Sequence, residues 1–295
     1  SEVPLVIWNI QRMGPSTGLP TRTSQCDLKQ AMSLSHGDTK HIVLLPASAR
    51  ECFEFGWKAF DVAERMQTPV FVLSDLDIGQ NQWASEPFEY PDAPMDRGKL
   101  LWEDDFDEFV AKHGDWGRYK DVDGDGIPYR TVAGNRKEGS SYFARGTGHD
   151  AFANYSEDPD IWMEGMNRLA LKHNTARQYV PDAIIDNVEG AKIGIIAYGS
   201  VDPAVVEARD LLTAEGLKTN YLRLRALPIT DTVKDFLREN DKIFVIEMNH
   251  DGQLREILTV EMPEESTKLV SSTLNNGLSL TAKWIRDDIL AKKEK

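Results

Sequence analysis

The chain is poor in cysteine. Only Cys26 and Cys52 occur, with no CxxC pair and no clustered histidine, so these residues supply neither a disulfide framework nor a complete zinc or iron–sulfur ligand set. Positive charge is also short. Lys and Arg sum to 34 against 48 Asp and Glu, and a net charge of −14 has the wrong sign for counterion-release binding to nucleic acid or for docking on an anionic membrane. Neither partner is expected. Long apolar runs are missing as well: the longest, Lys192 to Tyr198 and Lys242 to Met248, are strand-sized, whereas a membrane-spanning helix takes about 20 residues. The opening SEVPLVIWNI has no basic n-region and no small-residue cleavage site, so no signal peptide is read and a cytoplasmic setting is expected. There is no internal repeat, and no low-complexity tract beyond the charged tail Lys292–Lys295.

What is present is alternating α/β patterning. In residues 1–84 the runs Leu5 to Ile10, Ile42 to Leu45 and Val70 to Leu73 are continuous rather than alternating, which predicts parallel strands covered on both faces. Between the last two, Phe53, Trp57, Phe60 and Ala63 recur at helical spacing behind the capping-box pattern Ser48-x-x-Glu51, predicting a helix over 50–66. Residues 85–188 are broken repeatedly by Gly and Pro yet carry Trp83, Trp102, Trp116 and Trp162 at or near their span, which predicts an ordered, loop-rich connector with a helix near its end, over 156–179. From 189 a second α/β unit is expected, with strands at 192–198, 218–224 and 242–248. Its helices are expected at 204–215, capped by Asp202-Pro203, and at 230–239, with another starting at 252 and an amphipathic one over 278–292.

The densest chemistry follows the first strand: Gln11-Arg12-Met-Gly14-Pro15-Ser16-Thr17-Gly18-Leu-Pro20-Thr21. In open parallel sheets ligands bind beyond the carboxyl ends of strands, and a guanidinium presents a planar fork of donors matched to a carboxylate or phosphate. Arg12 is the leading substrate-binding candidate, with Thr17 and Thr21 beside it; the alternative is a tight loop carrying a surface arginine. No Lys follows Gly18, so this is not a GxxxxGK[ST] phosphate loop. His149, after Gly146-Thr-Gly148, is a further substrate-side candidate together with Arg145 and Asn154, set against a histidine satisfied inside an ordered loop. Asp121-Val-Asp123-Gly-Asp125-Gly126 imitates the start of a calcium loop, but Val132 stands where the bidentate Glu belongs, and a solvated turn is expected. Gly199-Ser200 reads as a turn, the alternative being an anion seat. Glu103 to Glu108 reads as a solvated acidic face. No catalytic acid, base or metal ligand is assigned.

The runs QRMGPSTGLPTRTSQCDL, TPVFVLSD, DGIPYRT and VIEMNHDGQL resemble the alpha subunit of the 2-oxoacid:ferredoxin oxidoreductases, most of all those acting on 2-oxoglutarate, over nearly the whole chain. The resemblance implies that residues 1–84 are the back half of a thiamine-enzyme pyrimidine-binding domain and that 189–295 form a transketolase C-terminal-like domain. It implies oxidative decarboxylation of a 2-oxoacid with coenzyme A as co-substrate, giving acyl-CoA, CO2 and reduced ferredoxin. Arg12 then holds the substrate carboxylate, and Glu247 and Asn249 are structural or interface residues. Thiamine diphosphate, Mg2+ and a [4Fe-4S] cluster are expected mainly on a partner beta subunit, and ferredoxin, usually acidic, is expected to meet the complex there rather than on a chain at −14.

The family also places a YPITP-like loop and the glutamate that activates the aminopyrimidine upstream of the first strand. Neither is among these residues, so the front half of the pyrimidine-binding domain is expected from elsewhere. Pyruvate, branched-chain or aryl 2-oxoacids remain alternative substrates, and a non-catalytic scaffold or assembly subunit remains the alternative of another class.

Overall fold

A computed structural model describes residues 1–294; the last residue of the charged tail, Lys295, lies outside the described residues. The chain divides into two compact units. One comprises Ser1–Leu5, Phe60–Pro69 and Pro91–Tyr179, the other Val6–Ala59, Val70–Tyr90 and the chain from Val180 onward.

The larger unit holds two sheets. The first has the order β1 (Leu5–Gln11), β3 (Pro69–Asp75), β2 (Ile42–Leu44), β7 (Ala226–Leu227). β2 and β3 are parallel, with Val43 opposite Phe71, while β7 returns from the far end of the sequence and pairs antiparallel to β2. The second sheet runs β4 (Ile184–Asp186), β6 (Thr219–Leu224), β5 (Ile193–Tyr198), β8 (Lys242–Glu247), β9 (Leu269–Thr273). Its central pairs are parallel and only β4 is antiparallel.

Helices α1 (Leu28–Ser33), α6 (Asp202–Ala214), α7 (Asp231–Glu239), α8 (Gln253–Glu261) and α9 (Ala282–Lys292) surround these sheets, with the short α3 (Leu76–Gln80) after β3; α2 (Ala49–Met66) connects β2 to β3. Because side chains alternate along a strand, β5 serves two cores. Ile196 and Tyr198 join Val43, Leu45, Phe71, Leu73 and Leu254 in one cluster, and Ile195 and Ala197 join Val205, Leu212, Ile285 and Ile289 in the other. The first cluster contains residues of both sheets, so the early and late segments of the sequence share one interior.

Several expectations are corrected. β1 is an edge strand: Ile7 packs on the core, but Trp8 and Ile10 are exposed, so its continuous apolar run does not mean cover on both faces. Asp202 does not cap α6 but begins it, and its carboxylate accepts the Tyr221 hydroxyl at 2.8 Å. The closing helix starts at Ala282 rather than 278, where the Thr281 hydroxyl accepts the Trp284 N–H.

The smaller unit contains α4 (Glu103–His113) and α5 (Pro159–Thr175) among ordered loops. The acidic run 103–108 is the opening of α4, its carboxylates largely exposed and favourably placed at the positive end of the helix dipole, while Phe106 and Phe109 turn inward against Leu101 and Trp116. α5 begins at Pro159, and the capping carboxylate of Asp158 accepts the N–H groups of Asp160 and Ile161, worth about 1 kcal/mol.

Polar ties hold the loops. Glu2 pairs with Arg168 and with Lys172, the latter at 2.6 Å; burial alone would raise its carboxyl, but the two cations hold it well below the ordinary carboxylate range. The calcium-like turn is organised by Asp121, which accepts the N–H groups of Asp123, Gly124 and Gly126, and by Lys99, whose ammonium stands 2.7 Å from Asp123 and 2.8 Å from Asp125. No group of three or more His, Cys, Asp or Glu side chains among the described residues is placed to hold a metal ion, and no helix among them is long and apolar enough to cross a membrane.

Candidate functional site

The loop after β1 is closed on itself. The Met13 N–H donates to the Arg22 carbonyl at 2.9 Å and the Leu19 N–H to the Met13 carbonyl at 3.3 Å, giving a narrow neck below the segment 14–21. Two residues inside it adopt left-handed backbone, Ser16 at φ 56° and Gly18 at φ 49°. At 18 only glycine fits, because a Cβ would lie 2.3 Å from the Met13 carbonyl oxygen. Arg12 stands at the foot of this loop, and its guanidinium donates to the Thr17 carbonyl at 2.5 Å. Thr17 and Thr21 lie exposed on the same loop, their hydroxyls bonded to no described residue. Structure therefore groups Arg12, Thr17 and Thr21 at the carboxyl end of β1.

Electrostatics bear on the arginine as well. Among the described residues Arg12 has no carboxylate partner, although the chain carries 14 more acidic than basic residues. Its one hydrogen bond, to a carbonyl, steers the fork without neutralising it. An arginine left uncompensated in an acidic protein is available to an anionic ligand.

The segment that follows is fixed by the second sheet. Gln25 is fully buried and uses its backbone and side chain alike: its N–H donates to the Met248 carbonyl at 2.7 Å, Nε2 to the Tyr198 carbonyl at 2.8 Å, and Oε1 accepts the Met248 N–H at 3.1 Å. Its carbonyl accepts Asn249 Nδ2 at 3.1 Å. Ser24 Oγ donates to the Met248 carbonyl, Gln253 Nε2 to the Cys26 carbonyl at 2.6 Å, and the Cys26 thiol to the Arg12 carbonyl at 3.2 Å. The arginine loop is thereby moored to the carboxyl ends of β5 and β8.

Glu247 and Asn249 serve this mooring. Glu247 is completely buried and accepts two free N–H groups in the first turn of α8, from Leu254 at 2.7 Å and Arg255 at 3.1 Å, and Asn249 Nδ2 at 2.7 Å; burial still pushes its carboxyl up. The Ser200 hydroxyl donates to the buried Asp75 carboxylate at 2.6 Å, a group that burial also pushes up.

His149 belongs to the smaller unit. Its Nδ1 hydrogen-bonds the Asp150 carbonyl at 3.0 Å and its ring stacks on Tyr119 with centroids 3.8 Å apart. Asp150 accepts from Phe152 and Asn154, and Arg145 Nε donates to the Ala153 carbonyl, so all three loop candidates are engaged within their own loop. Gln25 is the residue that sequence reasoning missed. Its only signal is a polar residue between Ser24 and Cys26, with nothing nearby in sequence to show that its partners lie more than 170 positions away.

Comparison with known proteins follows the same lines. Residues 1–100 match the family model described as pyruvate flavodoxin/ferredoxin oxidoreductase, thiamine diP-bdg. The chain is 32% identical over 265 residues to the 2-oxoacid:ferredoxin oxidoreductase 2 alpha subunit of Aeropyrum pernix, a match covering 88% of this chain and 39% of that protein. It is 32% identical over 256 residues to the 2-oxoglutarate synthase subunit KorA of Methanothermobacter thermautotrophicus, covering 84% of this chain and 63% of that one. The chain thus spans less than two thirds of each relative's length. In three dimensions it resembles the 2-oxoglutarate:ferredoxin oxidoreductase of Magnetococcus marinus, solved with 2-oxoglutarate, coenzyme A and succinyl-CoA bound, at a TM-score of 0.83 and 28% identity over 98% of this chain and 49% of that one. In its leading motif, its α/β architecture and alignments over most of its own length, the chain resembles the 2-oxoacid:ferredoxin oxidoreductase alpha subunits.

Proposed function

We propose that this chain is the substrate-positioning part of an enzyme that oxidatively decarboxylates 2-oxoglutarate with coenzyme A, yielding acyl-CoA, CO2 and reduced ferredoxin. Residues 1–84 act as the pyrimidine-domain segment and 189–295 as the transketolase C-terminal-like segment. The observation that carries this reading is Arg12: an arginine with no carboxylate partner, at the carboxyl end of a strand, on a loop closed at its neck and moored from behind. Its guanidinium would take the carboxylate beside the reacting carbonyl, with Thr17 and Thr21 hydroxyls available to the same ligand. Held this way, the 2-oxoacid is oriented rather than protonated, and the gain is one of proximity and charge pairing.

The family implies thiamine diphosphate. The donor set around Arg12 is cationic and hydroxylic, which suits the anionic end of a 2-oxoacid; an aminopyrimidine ring takes a carboxylate, and the loop offers none. That carboxylate is assigned to the front half of the alpha subunit. The diphosphate with its Mg2+ and a [4Fe-4S] cluster are assigned to a beta subunit, a cluster of that type taking four thiolates where these residues have two. Electrons then leave to ferredoxin through the partner, in the cytoplasm. His149 remains a proposed substrate-side residue.

Purification of the native complex, with its subunits weighed and a panel of 2-oxoacids assayed with coenzyme A and a viologen acceptor, tests this. A coloured hetero-oligomer reducing the dye fastest with 2-oxoglutarate is expected. Fastest reduction with pyruvate, a branched-chain or an aryl 2-oxoacid would move the substrate assignment, and a colourless chain without partner or activity would leave the scaffold role.

A further inference from the structure

Arg12 is not the only uncompensated cation on its loop. Arg22, on the other side of the neck, is exposed and has neither an ion pair nor a side-chain hydrogen bond among the described residues. The neck bond from the Met13 N–H to the Arg22 carbonyl means that the two arginines spring from opposite sides of the same closure, Met13 being the residue directly after Arg12. Elsewhere in this acidic chain, arginines are commonly matched with carboxylates, as with Arg223 and Arg225 on Glu51, Arg130 on Glu64 and Arg65 on Asp96. Two unmatched guanidinium groups on one short loop mark a place where positive charge is kept in reserve.

The stem of Arg22 also has a seat. It lies against Gly277, in the turn that follows β9. That glycine has φ 81°, and a Cβ there would stand 2.8 Å from Arg22 Cβ and 3.1 Å from Cγ. The same turn reaches the segment through Asn275, whose Oδ1 lies 3.3 Å from Ser24 Oγ. The second α/β sheet therefore sets the root of the Arg22 side chain as well as the mooring behind Arg12.

We infer that Arg12 and Arg22 together form a two-cation site that takes two anionic groups, Arg12 the carboxylate beside the reacting carbonyl and Arg22 a second anion. This rests on the reading of Arg12 as the carboxylate anchor. The second anionic group is either the distal carboxylate of a dicarboxylic 2-oxoacid or a phosphate of the coenzyme A co-substrate. A guanidinium serves both, since each presents paired oxygens to its fork.

The test is made on the assembled enzyme with Arg22→Ala and Arg22→Lys. The KM values are measured for 2-oxoglutarate, for coenzyme A and for 2-oxobutanoate, the last as a substrate or, where it is not turned over, as a competitive inhibitor. Loss of one charge-assisted contact predicts a KM increase of about tenfold or more for the ligand concerned, larger than any change in kcat, with partial rescue by lysine. A rise for 2-oxoglutarate alone identifies the distal carboxylate; a rise for coenzyme A with either 2-oxoacid identifies the phosphate. If Arg22→Ala leaves all three constants within about twofold of an active wild type, the Arg22 assignment is overturned while the Arg12 reading stands. A wild-type complex inactive with every 2-oxoacid removes both.

Discussion

Gln25 and Tyr198 bond reciprocally: Gln25 Nε2 donates to the Tyr198 carbonyl at 2.8 Å, and the Tyr198 hydroxyl donates back to the Gln25 carbonyl at 3.3 Å. Both are buried, so each bond is made where water offers no substitute. This pair ties the segment behind Arg12 to the end of β5.

Gln25→Leu should therefore destabilise the fold by about 3 kcal/mol, because it strands the Tyr198 carbonyl and the Met248 N–H at a buried position. Denaturant titration reads this directly. Tyr198→Phe, which removes one of the two donors to the Gln25 carbonyl and leaves Asn249 in place, should cost about 1 kcal/mol.

Gly18→Ala separates loop geometry from global stability. The new Cβ would strike the Met13 carbonyl, and the left-handed backbone adds about 1 kcal/mol of strain. Opening the neck shifts the Thr17 carbonyl that steers Arg12, so in the assembled enzyme the KM for the 2-oxoacid should rise about tenfold with little change in melting temperature, as steady-state kinetics and calorimetry would show.

How much of this was legible in sequence depends on how local the cause is. β5 and β8 announce themselves through apolar runs, β6 through Tyr221, Leu222 and Leu224, and α6 and α7 through helical spacing between them. β7 and β9 do not, because a two-residue strand and the mixed run Leu269–Thr273 become strands only through their neighbours, β2 and β8. α4 is hidden by its acid-rich exposed face, and only Phe106 and Phe109 betray the inward side. At the site, Arg12 is readable because a charged fork after a strand is a local signal. The mooring by Gln25 and the seat of Arg22 on Gly277 arise from residues far apart in the chain.

Glu51 links the start of α2 to the second sheet and gives the fold an acid limit. It accepts the Ala47 N–H at 2.9 Å, two bonds from Arg223 and one from Arg225 Nε at 2.9 Å. Burial alone would raise its carboxyl, but Arg223, the Ala47 amide and Arg225 together hold it below the ordinary value. A carboxylate depressed in the folded state contributes stability above its unfolded pKa of about 4.3 and loses that contribution as pH falls through the folded value. Glu51→Gln should cost about 3 kcal/mol at pH 7, with the gap to wild type closing below about pH 4 in urea titrations.

The central claim is that Arg12 holds the carboxylate of a 2-oxoacid, and the direct measurement is kcat/KM of the assembled complex for 2-oxoglutarate-dependent viologen reduction, wild type against Arg12→Ala. Losing a charge-assisted contact to the reacting substrate predicts a fall of about a hundredfold, partly restored by Arg12→Lys. An Arg12→Ala complex that assembles normally and keeps the wild-type kcat/KM would contradict the account.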